Sequence, residues 1–173
     1  IPEDGYQGED IIATAKRLLE EKGEIYVDMD RTQRLEEMKQ FALKEKVAGI
    51  AQGLEHFGVE YDRWFSEQSL HDAGDVKEVV DILDQKGYVY EKDGARWLRM
   101  TDWGEEKDEV LIRSNGTPTY FAADIAYHRN KFERGYKKLI NIWGADHHGH
   151  VARLKGAMTA LGYPGDDITV ILM

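Results

Sequence analysis

The stretch Lys138-Leu-Ile-Asn-Ile-Trp-Gly-Ala-Asp-His-His-Gly-His150 constrains the fold more than any other part of the chain. It reads as a short apolar strand, a glycine turn and a polar cluster that opens a helix running from about Val151 to Leu161. In an open α/β sheet, ligands bind outside the carboxyl ends of strands, where glycine lets the backbone come close and the next helix offers free N–H groups. A binding site is expected around Gly144, Asp146 and His147.

The neighbouring segments extend this unit. Val110 to Arg113, Tyr120 to Glu133, Leu139 to Trp143, Val151 to Leu161 and Ile168 to Leu172 alternate strand, helix, strand, helix, strand. Such alternation argues for an α/β fold with a parallel sheet covered on both faces. Residues 1–109 lack it, which places a boundary near Asp108 and leaves 110–173 as the α/β part. Upstream, the start Glu3 to Gly8 is turn-rich, and Ile11, Ile12, Ala15, Leu18 and Leu19 form one helical stripe closed by Gly23. A second helical run spans Arg31 to Phe57, weakened at Gly49 and Gly53. Glu60 to Phe65 alternates as a strand and Ser66 to His71 reads as a loop. Asp75 is expected to cap a helix carrying Val76, Val79, Val80 and Leu83 and ending at Gly87. Tyr88 to Tyr90 and Ala95 to Met100 flank Asp93-Gly94, the strongest hairpin signal in the chain. Thr101 to Asp108 is a polar loop.

Charge and composition narrow the function classes. With 33 acidic against 23 basic residues, the net charge of -10 argues against a broad cationic surface for nucleic acid or anionic lipid. The absence of cysteine removes disulfides, thiolate metal sites and Cys nucleophiles. No apolar run approaches the roughly 20 residues of a membrane span, and the start has no signal-like core, so the expected setting is the cytoplasm. The chain lacks an initiator Met and ends on the strand-like Ile168 to Met173, and it is expected to be a fragment of a larger protein.

Two groups of residues carry chemistry. On a wheel of the helix opening at Tyr120, Phe121, Ile125 and Phe132 share the face expected to pack on the sheet. Tyr120, Asp124 and Tyr127 share the adjacent face, and this trio suits a cation: a carboxylate accepts a guanidinium fork, and an aromatic ring adds a hydroxyl or a face. The alternative is a solvated Asp between two half-buried tyrosines. Asp146-His147-His148-x-His150 has three readings: metal ligands, a carboxylate for ribose hydroxyls beside Gly144, or a helix cap by Asp146 or Gly149. Asp28 and Asp30 read as loop and cap, Glu36 to Lys46 as a solvated helix face, and His56 and His71 as surface residues.

Arg113-Ser-Asn-Gly-Thr-Pro-Thr-Tyr-Phe-Ala-Ala-Asp-Ile-Ala-Tyr-His128 with Trp143-Gly-Ala-Asp-His-His-Gly149 closely resembles bacterial arginyl-tRNA synthetases. Pro2-Glu-Asp-Gly-Tyr-Gln-Gly8 and Trp64-Phe-Ser-Glu67 look like the same family, so the resemblance covers nearly the whole chain. It implies part of a Rossmann-like class I synthetase catalytic domain in 110–173, with a helical and hairpin-containing connective insertion in 1–109. It further implies ATP-dependent activation of L-arginine and transfer to tRNA(Arg), with Tyr120 and Asp124 holding arginine. Gly144 and Asp146 would hold the ATP ribose, with His147 and His148 near the adenosine. ATP with magnesium is the implied substrate complex, without a tightly bound cofactor or a resident metal, and tRNA contacts lie mostly elsewhere in the parent protein. The Gln that some relatives carry near Gly144 and Ala145 is absent. So are the family's His-x-Gly-His signature and its lysine-containing loop; no catalytic residue is then expected here, and the fragment alone is predicted inactive. The rival reading is a metal-dependent phosphoesterase using Asp146, His147 and His148, with Asp28 and Asp30 as further ligands. A non-catalytic RNA-binding module is opposed by the charge. Exposed sheet edges would offer a route to homo-oligomers.

Overall fold

Glu9 and Asp10 place negative charge at the start of helix α1 (Glu9–Lys22) and Lys22 places positive charge at its end, both complementing the helix dipole. The computed structural model describes residues 5–173. Glu3 and Asp4 of the turn-rich start, and Pro2 of the resembling segment, lie outside them. Contacts divide the chain into two units, one ending at Trp64 and the other running from Phe65 to Met173.

In the first unit, α1 packs against helix α2 (Arg31–His56). Asp30 caps α2 by accepting from the backbone N–H of Thr32 at 2.8 Å and Gln33 at 3.2 Å, which settles its role as a cap. Gly49 and Gly53 do not interrupt α2. Their cost of about 1 kcal/mol each is roughly offset by the cap and the side-chain pairs four residues apart, Gln33 with Glu37 and Gln40 with Glu36. The stripe of α1 buries Leu18 but leaves Leu19 56% exposed, because the two helices enclose an apolar groove of about 570 Å³ between Leu18, Leu19, Met38 and Phe41. The Glu60 to Phe65 stretch forms no strand; with no neighbouring strand to pair with, its alternation has nothing to bind.

The second unit opens with helix α3 (Gln68–Ala73) where a loop was expected. Burial of Leu70 and a hydrogen bond from Ser69 Oγ to the Ser66 carbonyl nucleate that turn. Gly74, in the left-handed region at φ 82°, joins α3 directly to helix α4 (Asp75–Gln85). Asp75 is therefore the first helical residue and not the cap: the tight junction puts the capping position on Gly74, which has no side chain to close the free N–H groups. The hairpin forms as its turn chemistry dictates: β1 (Val89–Lys92) and β2 (Ala95–Leu98) pair antiparallel around Asp93 and Gly94, at φ 53° and 73°.

Strand β3 (Glu109–Ile112) joins this hairpin, antiparallel to β2, and not the parallel sheet. Asp108 explains the difference. Its carboxylate accepts from the Thr101 backbone N–H at 3.1 Å, from Thr101 Oγ1 at 3.0 Å and from the Tyr90 hydroxyl at 2.9 Å, which folds the intervening loop back along β2. That loop begins with a 3₁₀ turn, Met100–Trp103.

Helix α5 (Tyr120–Glu133), strand β4 (Leu139–Trp143), helix α6 (His148–Leu161) and strand β5 (Ile168–Leu172) follow, with β4 and β5 parallel in the register Leu139 to Ile168 through Trp143 to Leu172. Ile125, Leu154, Met158 and Ile168 are fully buried. At about 1.5–3 kcal/mol each they outweigh surface ion pairs in holding the helices to the strands. One face of this parallel pair is open among the described residues: Ile140 is 63% and Ile142 66% exposed, against the expectation of cover on both faces.

Candidate functional site

The site is built on the start of α5. Thr119 caps that helix, its Oγ1 accepting from Ala122 N–H at 3.3 Å while donating to the Val110 carbonyl at 2.8 Å. That hydroxyl and the Thr119 backbone N–H, which donates to the Leu111 carbonyl at 2.9 Å, together fasten the helix start to β3. Tyr120 follows with its side chain in solvent, and one turn on comes Asp124, at the border between the buried face and open water.

Asp124 Oδ2 accepts from His150 Nε2 at 2.9 Å. The His150 ring lies edge-on to Phe121, with centroids 5.4 Å apart, and tilted against Trp143 at 5.2 Å. No hydrogen bond among the described residues reaches Asp124 Oδ1. Tyr127 points elsewhere: it stacks on Phe65 at 4.6 Å and carries Lys131 over its ring at 4.2 Å. The wheel therefore groups three residues of which the structure brings two, Tyr120 and Asp124, to one cleft.

That cleft holds about 650 Å³ and is lined by Tyr120, Asp124, Asp146, His147 and His148, together with Trp97 and the Glu109–Arg153 ion pair. Gly144 lies in an adjoining hollow of about 360 Å³ shared with Asp124, Trp143, His147 and His150. After β4, Gly144 is extended and a 3₁₀ turn, Ala145–His147, leads into α6, which starts at His148, earlier than Val151. A Cβ at Gly144 would stand 2.5 Å from Asp146 Oδ1, so glycine is what allows that carboxylate to fold back beside the strand end. Neither Asp146 nor Gly149 caps α6; the capping position is His147, without a side-chain bond. The Asp146 side chain is 83% exposed, with His147 Nε2 3.7 Å away, leaving its oxygens open to hydroxyl donors.

The metal reading of Asp146, His147 and His148 finds no geometric support. Among the described residues no group of three or more His, Cys, Asp or Glu side chains stands close enough to hold an ion. Asp28 and Asp30 lie in the other unit, where Asp30 is committed to its cap.

Behind the cleft a buried chain of polar groups sets the electrostatics. His128 Nδ1 bonds the Asp124 carbonyl at 2.7 Å, Asn141 Nδ2 meets His128 Nε2 at 2.8 Å, and Lys131 Nζ donates to Asn141 Oδ1 at 3.2 Å. These partners fit a neutral imidazole protonated on Nδ1. Burial, followed by the nearby Lys131 charge, holds the His128 pKa below its usual value. Burial, followed by Arg134, brings Lys131 down to about 8. Sequence reading groups His150 with the adjacent histidines and misses its pairing with Asp124, as it misses the His128–Asn141 bond. The first-turn position of His150 in α6 is the available signal, and it acquires meaning only once α5 and α6 pack side by side.

A family model described as tRNA synthetases class I (R), catalytic domain, matches residues 63–171. Arginine–tRNA ligases of Desulfitobacterium hafniense and Moorella thermoacetica are each 60% identical to this chain, over 172 and 173 residues, covering 99% and 100% of it. The chain spans 31% of the length of these curated relatives. A solved structure described as an arginyl-tRNA synthetase of Campylobacter jejuni is similar at a TM-score of 0.87 and 38% identity, over 99% of this chain and 37% of that one. The arginyl-tRNA synthetase of Thermus thermophilus, at a TM-score of 0.68 and 22% identity over the same shares, is a likeness of fold.

Proposed function

The chain belongs to the family of class I (R) tRNA synthetase catalytic domains, and on that premise we propose that it is a segment of an arginine–tRNA ligase. The parent reaction is then ATP-dependent activation of L-arginine followed by transfer to tRNA(Arg). The arginine carboxylate attacks the α-phosphate of ATP, pyrophosphate leaves with magnesium, and a ribose hydroxyl of the terminal adenosine takes the arginyl group. The reading rests on one observation: Asp124 of α5 and the turn from Asp146 to His148 border a single cleft.

In this reading Asp124 takes the guanidinium and Tyr120 closes the amino-acid end of the pocket. Gly144 lets the nucleoside lie against the strand end, Asp146 accepts from the ribose hydroxyls, and His147 and His148 flank the adenosine. Residues 110–173 form the second half of the nucleotide-binding fold, and 1–109 the helical and connective part. The contribution is positioning, worth several orders of magnitude in rate without any acid–base group. Groups that stabilise charge at the α-phosphate are assigned to the remainder of the parent protein, as are most tRNA contacts. No helix among the described residues is long and apolar enough to cross a membrane, and the proposed setting is the cytoplasm. Self-association through open sheet edges is part of the proposal.

Calorimetric titration with L-arginine, L-lysine and L-citrulline, on the chain and on the full-length protein, tests the reading. Binding of arginine that citrulline does not reproduce is the expected result, since citrulline keeps the shape and loses the charge. Equal affinity for the two, or none for arginine in the full-length protein, would remove the guanidinium site.

A further inference from the structure

We propose that His150 is a positioning residue that fixes the plane of the Asp124 carboxylate for a planar cation, an inference that rests on the arginine reading of the same cleft. A carboxylate on a helix surface turns freely about its last torsion, a broad and weakly two-fold well. A guanidinium fork needs both oxygens presented in one plane. The 2.9 Å bond from His150 Nε2 to Asp124 Oδ2 removes that freedom while occupying one acceptor site of Oδ2. Oδ1 and the second lone pair of Oδ2 stay available, which is what a two-pronged donor requires.

The imidazole is itself held. Phe121 and Trp143 pack against its ring at 5.4 and 5.2 Å, and its side chain is only 18% exposed. It comes from α6, whose fully buried Leu154 and Met158 anchor the helix in the core. The carboxylate is therefore braced by a second rigid element, and not merely by the helix that carries it. Bracing matters more for arginine than for lysine, whose ammonium is a compact point charge that any orientation of the carboxylate can serve. His150 thus acts on selectivity for the planar cation as well as on affinity.

The test is steady-state aminoacylation by the full-length protein carrying His150→Ala, His150→Gln or Asp124→Asn. His150→Ala should raise KM for arginine on the order of tenfold, leave KM for ATP within about twofold, and narrow the preference for arginine over lysine as inhibitor. His150→Gln keeps an N–H donor of similar reach and should recover most of that loss. Asp124→Asn should raise KM for arginine further than either. If Asp124→Asn raises it but His150→Ala does not, or if His150→Gln is no better than His150→Ala, His150 is not the brace. If Asp124→Asn leaves KM for arginine unchanged, the arginine site itself is wrong and the brace falls with it.

Discussion

Asn141, at the centre of β4, donates from Nδ2 to His128 Nε2 at 2.8 Å inside the core, and its own Oδ1 accepts from Lys131. The strand and the helix α5 are joined by a polar bond where apolar packing would be the default. Replacing Asn141 by Ala leaves a buried imidazole nitrogen and a partly buried ammonium without their partner. The expected destabilisation is about 1–3 kcal/mol by urea unfolding; a change below about 0.5 kcal/mol would mean that the chain of polar groups relaxes without cost.

His128 makes the second unit sensitive to acid. Its pKa is lowered from 6.5 in the folded state by burial, so below pH 6.5 the unfolded chain binds a proton that the native chain refuses. Stability is then complete above pH 6.5 and declines as the pH falls towards the lowered native value. Tm should drop between pH 7.5 and 5.5, and His128→Gln should show a shallower slope across that window. Parallel slopes would place the acid sensitivity elsewhere.

In the first unit the sign is opposite in origin and similar in direction. The Arg17 guanidinium, helped by Thr14, holds Glu45 at about 2 against a usual 4.5. The Arg17–Glu45 pair therefore supports α1 against α2 at neutral pH and is lost as the pH falls from about 4.5 to about 2. Far-UV circular dichroism of Glu45→Gln should show a shallower loss of helix content over that range than the parent chain, the remaining loss following Asp10 and the Asp30 cap, whose pKa values are also lowered; equal slopes would mean that the Arg17–Glu45 pair contributes nothing.

Asp146→Ala should separate the two halves of the cleft. If the carboxylate takes ribose hydroxyls, KM for ATP in the full-length protein rises by roughly ten- to a hundredfold while KM for arginine stays within about twofold. Gly144→Ala should follow it in direction, because the new methyl would displace Asp146 Oδ1. A rise confined to arginine would exchange the roles of the two walls.

The open face of β4, with Ile140 and Ile142 well exposed, predicts self-association of the chain. Sedimentation velocity should show species larger than the monomer at tens of micromolar, and Ile140→Thr with Ile142→Thr should return the chain to monomer. A parent chain already monomeric at that concentration would contradict this.

Elements with a single strong period were legible in the sequence. α5, β4 and β5 begin and end where periodicity and turn residues place them, and Asp93-Gly94 forms its hairpin, because in each case local propensity and tertiary packing agree. The losses come where a long-range contact decides. Leu70 pulls a helix out of a polar stretch, and Asp108 turns β3 back along β2 through bonds to Thr101 and Tyr90 that no local pattern announces. Tyr120, Asp124, Asp146, His147 and His148 each stood out as residue types; their meeting in one cleft depends on how α5 packs beside α6. His150 was hidden for the same reason, since a histidine in a histidine cluster carries no mark of the carboxylate it will face.

The hydroxyl of Thr119 makes the first residue of α5 a pivot. Asp124 lies four residues beyond Tyr120, about 6 Å along the axis at 1.5 Å per residue, so tilting the helix by about 10° would carry the carboxylate roughly 1 Å sideways. A displacement of about 1 Å is enough to cost about a hundredfold in a reaction that works by placement. The side-chain bond to the Val110 carbonyl thus acts with the Thr119 N–H bond to the Leu111 carbonyl and the buried face of α5 in setting the angle of the helix start, and a Thr119→Val change would be read as some lost precision at a residue more than a helical turn away.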